Sequence, residues 1–145
     1  MTTTAATPDL LSMTTAELDD LFGRAEPGPI PEGSAEGTAI IAAGTAYSHE
    51  IAKLINHVAW QGKVFNPATG ELLNRVLPTG WNAVAAKVYS GESWFDHKPC
   101  VVLDYSHTSL IAHWIRDEIR RIGPGLYLGK VYWEKTPIFH FSLKF

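Results

Sequence analysis

The densest run of polar chemistry in the chain is Asp104-Tyr105-Ser106-His107, directly after the apolar residues 100–103. Polar groups at a strand end can reach a pocket without carrying an unpaired charge through the core. A carboxyl group beside apolar rings has a raised pKa, as a general acid or base requires. Asp104 and His107 are therefore candidate proton-transfer residues, and Tyr105 is a candidate ligand contact. Capping of local backbone N–H groups by Asp104 is an equally simple interpretation, and no G-x-S-x-G surrounds Ser106.

A second charged run, RDEIRR, begins at Arg116. If it is a strand, Arg116 shares one face with two further charges, and Asp117 lies on the other face with isoleucines. An inward Asp117 would need a partner, and an arginine across the barrel could bind it or a ligand carboxylate. Asp117 is thus a third candidate acid or base, and a solvated edge is the alternative. Lys63 is either a pocket cation or an outward charge.

Aromatic residues are unusually frequent, with five Trp, five Tyr and six Phe. Wide apolar side chains favour a flat or long apolar ligand, and indole N–H groups supply a few polar contacts. Simple core packing is the competing interpretation. The aromatic residues that we expect to line a pocket are Trp60, Trp81, Trp114, Trp133, Phe139 and Phe141.

Six histidines raise the question of a metal. None forms H-E-x-x-H, and the close pair His107 and His113 falls on opposite sides of a helix. We therefore expect no metal site and no cofactor. Haem needs only one axial imidazole in an apolar pocket, and candidates for that ligand are His57, His107, His113 and His140.

Short apolar runs separated by turn residues occupy most of the chain after residue 58, as in an antiparallel barrel or sandwich. Residues 139–145 alternate clearly, with Phe139, Phe141, Leu143 and Phe145 on one face. We predict a mainly β fold, an antiparallel barrel of seven or eight strands with two or three short helices. The predicted strands are 38–43, 58–65, 71–77, 81–89, 99–105, 115–122, 126–133 and 138–145.

The N-terminal third predicts different elements. Thr14 and Glu17 have capping-box spacing before a helix over about 14–23. The following stretch to Gly37 is rich in Pro and Gly, which predicts an irregular connection. We also expect a helix over 48–56 and a helical turn near 107–113, while helix and strand both fit 107–122. Residues 1–12 are expected to be a mobile leader, and 13–145 a single domain.

Composition limits the partners. The net charge is −3 and the pI is near 6.0, unlike the basic proteins that bind nucleic acid. The single Cys100 excludes an internal disulfide, and no run approaches the ~18 apolar residues of a membrane span. Without a basic, apolar leader the sequence does not indicate secretion. We expect a cytoplasmic protein with no nucleic-acid partner, and a homodimer stays open.

Several segments, in their order along the chain, resemble a family of small bacterial proteins. These segments are TAELDDLFGRAEPGPIPEGSAEG, WQGKVFN, VVLDYS, RDEIR, PGLYLG and the final FHFSLKF. Over residues 16–145 the chain is similar to lipocalin-like, calycin-type proteins, and more narrowly to the GXWXG-containing family of uncharacterised function. Residues 36–40 read EGTAI where the namesake motif would stand. The resemblance implies a barrel around an apolar pocket and no particular activity.

Three functions follow from these patterns. The first is binding of a small hydrophobic or aromatic molecule inside the barrel, with a carboxylate or hydroxyl met by Arg or His. The second is a cofactor-independent isomerase, cyclase or lyase of a hydrophobic metabolite, in which Asp104, His107 or Asp117 moves protons. A haem-binding barrel is the third. A structural protein without a ligand is the remaining alternative. An enzyme needs an inward ionisable pair, whereas a carrier needs only an apolar cavity.

Overall fold

The computed structural model describes residues 9–41, 60–76, 82–106 and 114–145. For residues 60, 61, 75, 76 and 82–84 it describes the backbone alone. The predicted helix over 48–56 and the predicted turn near 107–113 lie outside the described residues. None of the helices in the described ranges is long and apolar enough to cross a membrane.

Helix α1 spans Thr15–Arg24. The Thr14 side chain accepts a hydrogen bond from the Glu17 backbone, and the Glu17 side chain accepts one from the Thr14 backbone. This capping box confirms the predicted start of the helix. Residues 1–8 of the expected leader lie outside the described ranges. Residues Leu10–Ser12 form a 3-10 turn, and Leu10 is buried against α1, so this end of the leader belongs to the folded body.

Eight antiparallel strands close into one barrel in which each strand pairs with its neighbours in sequence, and the last pairs with the first. This confirms the predicted fold class. The strands are β1 Gly33–Ile40, β2 Trp60–Asn66, β3 Glu71–Val76, β4 Asn82–Glu92, β5 Pro99–Asp104, β6 Ile115–Gly123, β7 Leu126–Trp133 and β8 Thr136–Lys144.

The start of β1 corrects one prediction. We expected an irregular connection up to Gly37, but β1 begins at Gly33 and pairs Ala35 with Lys63 of β2. The close approach depends on Gly62, because a Cβ atom there would lie 2.0 Å from the Ala35 carbonyl oxygen. Strand pairing therefore overrides the local Gly and Pro content, which sequence composition alone does not reveal.

The barrel interior is apolar along most of its length. At one end of the barrel the Phe145 ring centroid lies 5.7 Å from that of Phe65 and 5.6 Å from that of Tyr127, and we call these three residues the floor. Above the floor lie inward side chains from every strand of the barrel. The buried members of this core are Ala35, Phe65, Leu72, Ala86, Val88, Val101, Leu103, Tyr105, Ile119, Tyr127, Val131, Phe141 and Leu143.

The outer wall of β6, β7 and β8 is also covered. Leu18 and Phe22 of α1 are fully buried against Leu128 and Ile40. Charged side chains share this layer, although the sequence suggested a solvated face for some of them. Glu118 accepts hydrogen bonds from Ser93 and the Trp94 backbone. The other buried charged or ionisable side chains of the layer are Arg120, Lys130 and His140.

Gly129 provides a first test of the interior packing. It pairs with Phe141 across β7 and β8, and a Cβ atom at Gly129 would lie 2.2 Å from Phe141 Cζ. Gly129→Ala must therefore displace the ring, and we expect a loss of about 1–3 kcal/mol in the free energy of unfolding. Urea unfolding measures it. Gly123→Ala is the control, because its Cβ would meet nothing within 4 Å. Equal losses in both variants would contradict the packing.

Candidate functional site

Four polar side chains meet inside the barrel. Lys63 lies on β2 directly opposite Asn74 of β3. Tyr105 follows β5, and Asp117 lies on β6 opposite Leu103. Each is at most 7% exposed. We call Lys63, Asn74, Tyr105 and Asp117 the polar cluster. Because strands β2 and β3 face β5 and β6 across the barrel, the cluster bridges opposite walls.

Lys63 is the centre of the polar cluster. Its ammonium donates to Asn74 Oδ1 at 2.8 Å and to the Tyr105 hydroxyl at 2.7 Å. It also lies 3.2 Å from Asp117 Oδ2. The Tyr105 oxygen accepts a second hydrogen bond from Asn74 Nδ2 at 2.8 Å. Tyr105 therefore accepts from two donors, and Lys63 contacts both the Tyr105 hydroxyl and the Asp117 carboxylate.

Burial sets the proton affinities of the polar cluster. Burial raises the pKa of Asp117, although Lys63 opposes this, and it raises the pKa of Tyr105 in the same way. Burial alone would lower the pKa of Lys63, but Tyr105 and Asp117 outweigh it, so that this pKa is raised. The site thus contains a firmly charged ammonium and a carboxylate with increased proton affinity.

One carboxylate oxygen of the polar cluster makes no hydrogen bond within the described residues. Asp117 Oδ1 is buried and has no hydrogen-bond partner among the residues that the structure describes. An unsatisfied buried acceptor costs about 1–3 kcal/mol, and more when the group is charged. The surroundings are largely apolar, with the Phe141 ring centroid 5.2 Å from Lys63 Nζ. The oxygen therefore offers a strong acceptor within an apolar barrel.

Several predicted site residues come together in this place. Lys63, Tyr105 and Asp117 belong to the polar cluster, Phe141 packs on it, and Phe139 is partly buried against the same core. Of the two alternatives for Lys63 and Asp117, the inward one is observed. The observed partner of Asp117 is Lys63, a lysine in place of the expected arginine across the barrel.

Other predicted residues lie elsewhere. The Asp104 carboxylate accepts hydrogen bonds from Tyr89 and from the Ser106 backbone, as its capping interpretation suggested. Arg116 lies on the outer wall with Glu118, and its guanidinium stacks 4.2 Å from the Trp94 ring. Trp114 and Trp133 contact each other and are 45% and 39% exposed. Trp81, His107 and the Trp60 side chain lie outside the described residues.

Asn74 is the member of the polar cluster that the sequence analysis missed. A signal for it exists in the alternation of β3, because Leu72 faces inward and Asn74 is two residues later on the same face. An amide among inward positions of an apolar strand needs a partner, which makes it a candidate for a polar site.

A second polar group joins α1 to the outer wall. Asp19 of α1 accepts a hydrogen bond from His140 at 2.9 Å and forms an ion pair with Lys130. His140 thus faces away from the interior, and the other three candidate haem ligands lie outside the described residues. Among the described residues, no three His, Cys, Asp or Glu side chains come together as a metal site would require.

His140 predicts a pH dependence of stability. Burial lowers the pKa of His140 below its usual value, and Lys130 adds to this, although Asp19 opposes it. The unfolded chain therefore binds this proton more tightly, so stability is complete above about pH 6.5 and falls as the pH decreases. One such proton accounts for at most about 1.4 kcal/mol per pH unit.

We expect the part of the stability loss at low pH that His140 causes to disappear in His140→Gln. The glutamine side chain can still donate a hydrogen bond to Asp19. Urea unfolding between pH 7 and pH 5 measures the slope. His97→Gln is the control, since that side chain is exposed on the surface. An unchanged slope in the His140 variant would contradict the assignment.

The fold is similar to that of a solved structure entitled "Crystal structure of protein from Thermomonospora curvata". The TM-score is 0.70, and the match covers 92% of this chain and 88% of that chain. The two sequences are 19% identical, so the likeness shows a shared small barrel fold alone. No protein-family model matches the chain, and no curated protein matches its sequence significantly.

Proposed function

We propose that the protein binds one small, largely apolar organic molecule inside the barrel, beside the polar cluster. A closed barrel of eight strands is wide enough either to be filled by side chains or to hold one small ligand. Small-molecule sites combine mostly apolar walls with a few placed polar groups. The core around Lys63 and Phe141 has this composition. The proposal includes a lipocalin-like type of barrel, as the sequence resemblance implies.

The observation that carries this proposal is the buried ion pair of Lys63 and Asp117. Replacing a buried pair by apolar residues of similar volume is often neutral or stabilises a protein. A barrel that served only as a scaffold would gain little from an ammonium and a carboxylate in its interior. Buried, perturbed groups of this kind are concentrated at functional sites. Ligand recognition gives the polar cluster a purpose that stability does not.

Amide NMR spectra of the full-length, 15N-labelled protein test the proposal. Small aromatic alcohols, terpenoids and fatty acids are added in turn up to millimolar concentration. We expect saturable shifts at Lys63, Tyr105 and Asp117, while Glu118 and Lys130 on the outer wall change less. Shifts confined to the outer wall, or no saturable shift with any compound, would contradict the proposal.

An acid–base enzyme is the second candidate, and the hydrogen bonds of Tyr105 favour it. The Lys63 ammonium contacts both the Tyr105 hydroxyl and the Asp117 carboxylate, which places two groups of raised pKa around one cation. An isomerase, cyclase or lyase of an apolar substrate would use Asp117 as the base.

Recovery of each bound compound after long incubation distinguishes the two functions. An unchanged compound indicates a carrier. A changed compound, with turnover reduced about 10²–10⁴-fold in Asp117→Asn, indicates an enzyme.

A further inference from the structure

The unpartnered oxygen of Asp117 restricts what the barrel can recognise. The carboxylate is 4% exposed, and its Oδ2 atom is bonded to Lys63. Its Oδ1 atom has no hydrogen-bond partner within the described part of the chain. A carboxylate oxygen next to an ammonium can only accept a hydrogen bond. A molecule that satisfies this atom must therefore present a hydrogen-bond donor.

The charges and donors of Lys63 argue against an anionic ligand. A lysine ammonium has three N–H donors, and within the described ranges Lys63 already contacts three acceptors, Asn74, Tyr105 and Asp117. Its charge is balanced by Asp117. A ligand carboxylate in this place would meet the like charge of Asp117 at short range, in surroundings of low dielectric constant.

We propose that the molecule bound in the barrel is neutral and carries a hydroxyl group that donates to Asp117 Oδ1. The inference rests on the proposed function and specifies its ligand class as apolar alcohols and phenols. Of the Arg and His residues expected to meet a ligand carboxylate or hydroxyl, Arg116 and His140 bind Glu118 and Asp19 on the outer wall, and His107 lies outside the described residues. Discrimination between a hydroxyl and its methyl ether then depends on a single oxygen atom.

Matched probes test this directly. Phenyl, 2-naphthyl and n-decyl compounds are each used as the alcohol, the methyl ether and the carboxylate, so that body size and polar group vary independently. Dissociation constants come from the amide shifts of Lys63 and Asp117 at pH 7. For at least one body we expect the alcohol to bind tenfold or more tightly than the ether, because the ether leaves Asp117 Oδ1 unsatisfied. The carboxylate should bind more weakly still.

Asp117→Asn should change the preference in a defined way. The amide oxygen can still accept from Lys63, which leaves an N–H group where Oδ1 stood, and an ether oxygen can accept from it. The ratio of alcohol to ether affinity is expected to fall below about threefold. Glu118→Gln is the matched control, since it removes a buried carboxylate from the next residue, on the outer face. Its ratio should equal that of the unmodified protein.

The outcomes separate the two proposals. Ethers or carboxylates that bind as tightly as the alcohols overturn the ligand class but leave interior binding intact. Failure of all nine probes to shift the interior amides overturns the proposed function as well. If Asp117→Asn does not fold, the affinity ratios of the unmodified protein decide the matter.

Discussion

Lys63→Met is expected to lower the free energy of unfolding by about 3–5 kcal/mol at pH 7, because it leaves Asp117 as an uncompensated buried charge. Methionine fills most of the lysine volume, so the loss reports on charge and hydrogen bonds. The variant should recover stability as the pH decreases towards 4, since protonation of Asp117 removes the charge. Urea unfolding at several pH values measures both effects.

The double variant Lys63→Met with Asp117→Leu is the control for this result. Removing both charges leaves neither unpaired, so we expect most of the lost stability to return. The hydrogen bond from Asn74 to Tyr105 does not involve either substituted residue and is expected to persist in that background. A single variant that loses less than about 1 kcal/mol, or a double variant no more stable than the single one, would contradict the ion pair.

Arg120→Met is expected to cost a comparable 3–5 kcal/mol, the usual range for breaking a buried charged pair. Arg120 is 1% exposed and binds Asp96 through two nitrogens at 2.7 and 2.8 Å. It also donates to the Phe22 carbonyl oxygen at 3.0 Å, which attaches α1 to the barrel. Its hydrogen bonds lower the pKa of Asp96 to about 2. Thermal and urea unfolding measure the loss.

Arg121→Met is the matched control for Arg120. The Arg121 side chain is exposed and donates to the Gly123 carbonyl oxygen two residues away. A change within about 0.5 kcal/mol is expected at such a surface position. If the two variants lose the same stability, then Arg120 does not hold α1 and residues 96–99 together as described.

The strands were predictable because turn residues separate short apolar runs. The barrel topology was predictable because strands that follow each other in sequence usually pair with each other. The sequence did not reveal which outer faces are covered. Four consecutive residues of β6, from Asp117 to Arg120, are buried, although the alternation of side chains along a strand predicts that one face is exposed to solvent. The cover comes from α1 and residues 93–98, whose position depends on the three-dimensional packing.

The alternation of side chains between the two faces of a strand also explains which site residues were predictable. Asp104 and Tyr105 are neighbours in sequence but point to opposite faces, so only Tyr105 reaches the polar cluster. Arg116 and Asp117 separate in the same way. For Lys63 and Asp117 the sequence left both an inward and an outward orientation open, because no local signal fixes which face of a strand points into the barrel. Their pairing across the barrel becomes visible only when the strands close.

A crystal structure of the full-length protein with 2-naphthol tests the central claim most directly. We predict one naphthol molecule inside the barrel, with its hydroxyl oxygen about 2.5–3.0 Å from Asp117 Oδ1 and its ring against Phe141. The Lys63 contacts to Asn74 and Tyr105 should be unchanged. An interior filled by side chains alone at saturating naphthol, or naphthol bound only on the outer wall, would contradict the account.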